Sequence, residues 1–409
     1  MKHQNNNFIK LWLSDAAYAA ASALSTGSVL TAFFMRGGMS EGQIGGYLSV
    51  IQFVNLAVSL LFAGAASRVK DTRRPLFYLT AASGIVTALH AIFCMVGTEI
   101  PLFEPAVFLL GCMIAVLTAL RTIYIYKLPC DVIDLRYYSV YAGYQGLFIG
   151  VAGISVGFLL PLFYERFSFM AVTGTAFALA GVFQFLSSVF LYRLIPIKDA
   201  DRDAQEAVTP KKYTLVSGVA ALWKNDIFRS LLRPNILRGF GAGIISMYSV
   251  FVISAGIFSE ETVSLTTAAM NIGTLISCFV YVRAVRKVGI PMMCLIGSAL
   301  FGLICFSVIG SSVVCLVIYT IAYIGYNVVC CAIPDLIYRS VGAEIISLFQ
   351  TWRLAMTQLG LSLATALYGL LVERIPVVLI IVLGTAAFLF CGIAYYRYYR
   401  NRLAEMEET

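Results

Sequence analysis

Three ionisable side chains stand out inside long apolar stretches of the sequence: Asp15, Arg121 and Arg353. A charged group in hydrocarbon costs at least about 2.5–3.5 kcal/mol, so such residues usually face a polar cavity and serve a function. A carboxylate that exchanges a proton for an arginine partner can couple protonation to conformation, because neither state leaves an isolated charge in a low-dielectric site. We therefore predict that Asp15 is a protonatable group and that Arg121 is its partner or an anion contact. A structural ion pair is the alternative.

Arg353 has no obvious acidic partner inside the membrane, but Glu344 lies at the start of the same stretch and Asp335 lies at the end of the preceding one, so either is a candidate partner. A guanidinium that faces a cavity favours a ligand with a carboxylate or another anionic group. The alternative is a structural arginine whose head reaches back to the membrane surface.

Tyrosine and amide side chains recur in the same stretches, and a wet cavity would satisfy their hydrogen bonds. Tyr319, Tyr323 and Tyr326 are spaced to share one face of a helix. Packing between helices with satisfied hydroxyls is the alternative interpretation. The candidate substrate-binding residues are Tyr18, Tyr124, Gln145, Tyr248, Asn271, Tyr323, Tyr326, Asn327, Gln350 and Arg353.

The composition indicates which elements must position these side chains. Hydrophobic residues make up 60% and charged residues 12% of the 409 positions, against roughly 45–50% and about 25% in soluble domains. Such a chain needs lipid as its solvent, so an all-α integral membrane protein is predicted. Twelve apolar runs follow, at about 8–34, 44–66, 76–97, 105–127, 138–163, 169–194, 233–258, 262–283, 289–310, 312–333, 344–372 and 376–396.

The basic residues divide unevenly between the two sides that twelve spans define. One side receives both termini, the long polar stretch and most lysines and arginines, whereas the other side receives only Arg36, Arg166 and Arg374. The positive-inside rule then places both termini and residues 196–230 in the cytoplasm of a cell whose plasma or inner membrane holds the chain. The predicted domains are an N-terminal six-helix bundle at 1–195, a linker at 196–230 and a C-terminal six-helix bundle with a short tail at 231–409.

The loop after the second run carries a glycine, an aspartate and several basic residues: Gly64, Arg68, Asp71, Arg73 and Arg74. It resembles the signature loop of the major facilitator superfamily, with Asp71 as a substitute for the family's aspartate. The resemblance implies two pseudo-symmetric six-helix bundles, alternating access, and a central cavity lined by helices 1, 4, 7 and 10. An ordinary basic loop is the alternative.

These observations favour a secondary active transporter of a small organic solute, coupled to protons and acting as a single chain. Uptake of a polar or anionic solute, efflux of drugs or amphiphiles, and lipid transport all remain open, and a non-transporting sensor is a further alternative. The sequence has no GxxxxGK[ST] motif, no metal-spaced Cys/His cluster and no converging catalytic residues. We therefore expect no enzyme activity, no cofactor, no metal and no nucleic-acid partner.

Overall fold

The computed structural model describes residues 2–62, 71–96, 102–125, 127–133, 138–196, 226–340 and 346–407, together with positions 65, 69, 220 and 222–224. The regular elements in these ranges are helices. This is the expected solution for a chain in lipid, because a helix satisfies its backbone hydrogen bonds within one segment. The prediction of an all-α membrane protein is confirmed.

Contacts divide the chain into two compact units. Unit 1 comprises Met1–Thr26 and Ala57–Ala221, and unit 2 comprises Gly27–Leu56 and Leu222–Thr409. The sequence alone grouped residues 27–56 with the N-terminal bundle. In the structure they pack within unit 2, where Gly45 lies so close to Gly369 that a Cβ atom on Gly45 would be 2.5 Å from the Cα atom of Gly369. Two glycines permit this approach because neither has a side chain to separate the backbones.

Unit 1 has an apolar core at one end of its helices, the end near the N-terminus. Its buried members are Phe8, Leu11, Leu76, Leu128, Val132, Ile133, Leu191 and Leu194. Its helices are α1 (Lys2–Ser25), α4 (Arg73–Val96), α5 (Phe103–Ile125), α6 (Leu128–Val132), α7 (Tyr138–Tyr164) and α8 (Phe169–Tyr192).

Unit 2 contains α2 and most of α3 together with all described helices after residue 225. Several of its largest aromatic side chains are fully buried, among them Phe251, Phe301, Tyr368 and Phe388. Its helices are α2 (Ser28–Arg36), α3 (Glu41–Leu61), α9 (Asp226–Ser254), α10 (Leu265–Val288), α11 (Ile290–Phe301), α12 (Ser312–Ser340), α13 (Ile346–Val372) and α14 (Val377–Glu407).

Within the described residues, eleven helical segments are long and apolar enough to cross a membrane, and a shorter one covers Ile290–Phe306. Together they account for the twelve predicted runs. The first run is two helices in the structure, because Gly27 has a φ of 57° and interrupts the helix between α1 and α2. Glycine tolerates this backbone conformation, which other residues adopt at a cost. Residues 197–219 of the predicted linker lie outside the described residues, and α9 already begins at Asp226.

Candidate functional site

Asp15 lies in the middle of α1, with only 9% of its surface exposed. Its Oδ2 atom accepts a hydrogen bond from Nε2 of Gln145 on α7, over 3.0 Å. Two predicted site residues, 130 positions apart in the chain, are thus brought together. A buried carboxylate needs such donors, because the charged form is otherwise poorly solvated.

Arg121 is buried on α5 and reaches the same face of α1. Its guanidinium lies 3.7 Å from the ring centroid of Tyr18, and its Nε donates to Oγ1 of Thr80 over 3.2 Å. Tyr18 follows Asp15 by three residues, which is nearly one helical turn. The predicted direct ion pair with Asp15 is not among the contacts of Arg121. A cation–π contact holds the charge one turn away instead.

Tyr124 lies on α5, three residues after Arg121. It is partly buried and packs on the apolar core that includes Phe8 and Leu11. This packing favours a structural role for Tyr124 over a substrate contact.

Four tyrosines of unit 2 form a row of ring contacts between α9 and α12. The rings of Tyr248 on α9 and Tyr319 on α12 are 3.8 Å apart and nearly parallel, and the Tyr248 hydroxyl lies 3.2 Å from the Cys315 sulfur. Tyr323 and Tyr326 continue along α12 with their ring centroids 5.5 Å apart. Tyr248 is only 1% exposed. This arrangement favours the packing interpretation for Tyr248, whereas Tyr323 and Tyr326 are half-buried.

Arg353 and Gln350 are neighbours on α13. Nε of Arg353 donates to Oε1 of Gln350 over 2.7 Å, and both side chains are buried. Asn271 on α10 donates to the carbonyl oxygen of Thr267 in its own helix over 2.8 Å, and Asn327 on α12 is half-buried. The Gln350–Arg353 pair follows the i, i+3 spacing that brings side chains together on a helix.

Arg238 is a buried cation that the sequence analysis did not select. Its Nη2 donates to Oγ1 of Thr357 over 2.9 Å and its Nη1 lies 3.5 Å from the Cys330 sulfur. Its Nε has no hydrogen-bond partner among the described residues. Thr357 in turn donates to the carbonyl oxygen of Arg353, so the two arginines lie near the same turn of α13. The signal that could have found it is its place inside the apolar run at 233–258.

The basic loop before α4 closes onto the end of unit 1 that carries the N-terminus. Asp71 accepts two hydrogen bonds of 2.9 Å from Arg73, whose Nη1 also donates to the carbonyl oxygen of Leu194. Thr72 donates to Oδ2 of Asp131 over 2.7 Å. Gly64 and Arg68 lie outside the described residues, and Arg74 is exposed in the first turn of α4, which begins at Arg73. In this part of the chain the acidic and basic residues of the motif form a structural clasp.

The clasp gives a pH-dependent prediction. The hydrogen bond from Arg73 holds the pKa of the Asp71 carboxyl below its usual value. A carboxyl with a lowered pKa in the folded state contributes stability above its unfolded pKa of about 3.9, and loses it as the pH falls through the folded pKa. For a partly exposed pair, about 0.5–1 kcal/mol is expected. Asp71→Asn should lower the thermal midpoint by a few degrees at pH 5–7. The difference from the wild-type protein should shrink as the pH falls below the unfolded pKa of about 3.9 and should disappear once the pH lies below the folded pKa.

The matched control is Glu165→Gln, which removes an exposed loop carboxylate in the same unit. Its thermal midpoint should stay at the wild-type value across the same pH range. An Asp71→Asn difference that persists unchanged at acid pH would show that the clasp does not depend on the carboxylate charge.

No cluster of three or more histidine, cysteine, aspartate or glutamate side chains with metal-binding geometry occurs among the described residues.

No known family model matches the sequence, and no curated protein matches it. Solved structures, in contrast, match along nearly the whole chain. The nucleoside transporter NupG is 15% identical with a TM-score of 0.67, over 98% of this chain and 99% of that one. The xylose transporter XylE from E. coli, in a partially occluded inward-open conformation, is 10% identical with a TM-score of 0.73, over 97% and 98%. The POT family transporter PepTSo is 13% identical with a TM-score of 0.70, over 97% and 98%.

At these low identities the matches establish the fold. The chain has the major facilitator fold, as the loop motif and the spacing of the apolar runs predicted.

Proposed function

We propose that this chain is a secondary active transporter that moves a small organic solute across the membrane by alternating access, with protons as the coupling ion. The observation that carries the proposal is the buried carboxylate of Asp15, held by Gln145 and lying one helical turn from the Tyr18–Arg121 contact. This group occurs in a fold shared at full length with structures of nucleoside, xylose and POT family transporters. Fold alone does not define activity, so the site carries the argument.

Proton coupling follows from the chemistry of this group. Asp15 is the buried acid of α1, and its neutral form is compatible with the neutral amide of Gln145. The positive charge of the Arg121 guanidinium stabilises the ionised form of Asp15 when a conformational change brings the two side chains closer. A proton can therefore select between two arrangements of the same residues, which is what coupling to a proton gradient requires.

The proposed organisation is two six-helix halves, at 1–195 and 231–409, joined by a cytoplasmic linker at 196–230, with both termini in the cytoplasm. The excess of lysine and arginine in the loops on that side supports it. Transporters with two such repeats bind their solute near the middle of the membrane. We propose that a single chain performs the transport cycle.

The substrate is proposed to be polar or anionic. Arg238 and Arg353 are both buried in unit 2, at 6% and 8% exposure, and Thr357 contacts both. Nε of Arg238 and Nε2 of Gln350 are buried donors without a hydrogen-bond partner among the described residues. A carboxylate or phosphate group accepts from several such donors at once, which makes it the ligand group that this cluster would recognise best.

The test begins with ligand identification. Metabolites and drugs are screened for thermal stabilisation of the purified chain, since a ligand at 100 times its Kd adds about 2.7 kcal/mol. A stabilising carboxylate or phosphate compound is then offered to proteoliposomes with an imposed pH gradient. Gradient-driven accumulation is expected. Stabilisation only by lipophilic cations would overturn the proposed substrate class, and binding without translocation would overturn the transporter assignment.

A further inference from the structure

One face of α10 combines an apolar strip with two cations, and these side chains are exposed. Ile276, Phe279 and Val280 are 38%, 54% and 40% exposed, although they are large and apolar. Arg283 and Lys287 follow on the same face and are also exposed. Spacings of three and four residues place all five side chains on one side of a helix.

These residues line a groove with a volume of about 640 Å³, to which Ala284 also contributes. The small side chain of Ala284 leaves room between the two cations, which are one helical turn apart. From residue 276 to residue 287 an α-helix rises about 16 Å. Half of the hydrocarbon layer of a bilayer is about 15 Å thick, so the two lengths are similar. The groove therefore has the length of one lipid leaflet, with the apolar strip towards the membrane centre and the cations towards its surface.

The C-terminal end of α10 is positively charged, and no acidic residue is close to it in the sequence. The helix from Leu265 to Val288 contains no aspartate or glutamate, and neither does the connection through Gly289 to α11. Arginine binds phosphate oxygens through two parallel N–H donors, and lysine adds a compact charge. Basic pockets of this kind at the cytoplasmic ends of membrane helices suit anionic lipid headgroups.

We propose that this groove is a binding site for one anionic phospholipid. Its phosphate would lie between Arg283 and Lys287, and one of its acyl chains would lie along Ile276, Phe279 and Val280. The site is separate from the groups assigned to transport, and it depends on the membrane location of the chain and not on the proposed solute. A zwitterionic lipid would cover the apolar strip equally well but would bring a positive group towards the two cations.

The test measures the thermal midpoint of the purified full chain in detergent supplemented with dioleoylphosphatidylglycerol, with dioleoylphosphatidylcholine, or with inorganic phosphate. Phosphatidylglycerol should raise the midpoint several degrees more than phosphatidylcholine, and this preference should fall by at least half in the double variant R283Q/K287Q. Native mass spectrometry should show one retained phosphatidylglycerol fewer on that variant.

The matched control is R397Q/R400Q, which removes the same charge from two exposed positions on α14. It should keep the full phosphatidylglycerol preference. The proposal is overturned if both double variants lose the preference equally, since general charge attraction would then explain it, or if R283Q/K287Q keeps it. Equal stabilisation by inorganic phosphate would identify a soluble anion as the occupant and would also overturn it.

Discussion

Replacement of Asp15 by asparagine is expected to abolish accumulation of the substrate by a pH gradient while substrate exchange continues. Asparagine has nearly the same shape and can still bond to Gln145, the partner that Asp15 has in the structure. It cannot bind and release a proton. A difference of one pH unit is worth about 1.36 kcal/mol per proton, which corresponds to a tenfold concentration ratio for one coupled proton. The variant should therefore fall from about tenfold accumulation to a ratio near one.

The measurement compares two assays in the same proteoliposomes. Uptake under a one-unit pH gradient reports coupling, and counterflow of labelled against unlabelled substrate without a gradient reports binding and the conformational cycle. The control variant is Asp226→Asn, which replaces an exposed carboxylate at the start of α9 that pairs with Arg229. It should behave as the wild-type protein in both assays.

Two results would contradict this role of Asp15. Full gradient-driven accumulation by Asp15→Asn would assign proton coupling to another group. Loss of counterflow together with accumulation would indicate that the carboxylate binds substrate or maintains the structure around Tyr18 and Arg121.

The sequence predicted the membrane fold well because its signals are local. Hydropathy defines a span within about twenty residues, and each of the twelve apolar runs contains a helical segment of the structure. The i, i+3 spacing of Gln350 and Arg353 is also a local signal, although the two residues were selected separately. Helix 1 was the exception, since nothing in an apolar run distinguishes Gly27, which interrupts the helix, from Gly46, which does not.

The long-range contacts of the site could be predicted only in part. Asp15 and Gln145 were both selected because polar groups in apolar runs are conspicuous, but their hydrogen bond depends on how α1 meets α7. The contact of Arg121 with Tyr18 depends on the angle at which its side chain leaves α5. Helix rotation and crossing angle are set by side-chain packing along the whole interface, and a single sequence does not specify them.

The crossing of α9 and α13 gives the second large prediction, because it positions Arg238. Gly239 and Gly360 lie where the two backbones meet. A Cβ atom at Gly239 would overlap the carbonyl oxygen of Thr357, and one at Gly360 would overlap the carbonyl oxygen of Ile236. A backbone oxygen cannot move aside as a flexible side chain can, so any side chain at either position must separate the helices.

We expect Gly360→Ala to destabilise unit 2 by about 2–3 kcal/mol, at the upper end of the range for overpacked sites. Separation of the helices would also move Thr357 away from Arg238. Oγ1 of Thr357 accepts a hydrogen bond from Nη2 of Arg238 over 2.9 Å. The variant should therefore bind an anionic ligand more weakly, as well as melt at a lower temperature. Both effects are measured on purified protein, by the thermal midpoint without ligand and by the shift that the ligand adds.

The control is Gly46→Ala on α3, where a Cβ atom would have nothing within 4 Å. Alanine is favoured over glycine inside a helix by about 0.5–1 kcal/mol, so this variant should be as stable as the wild-type protein or slightly more stable. Equal midpoints for Gly46→Ala and Gly360→Ala would mean that the α9–α13 crossing has room for a methyl group. If Gly360→Ala has a lower midpoint but unchanged ligand affinity, the position of Arg238 does not matter for ligand binding. Arg238 would then have a purely structural role.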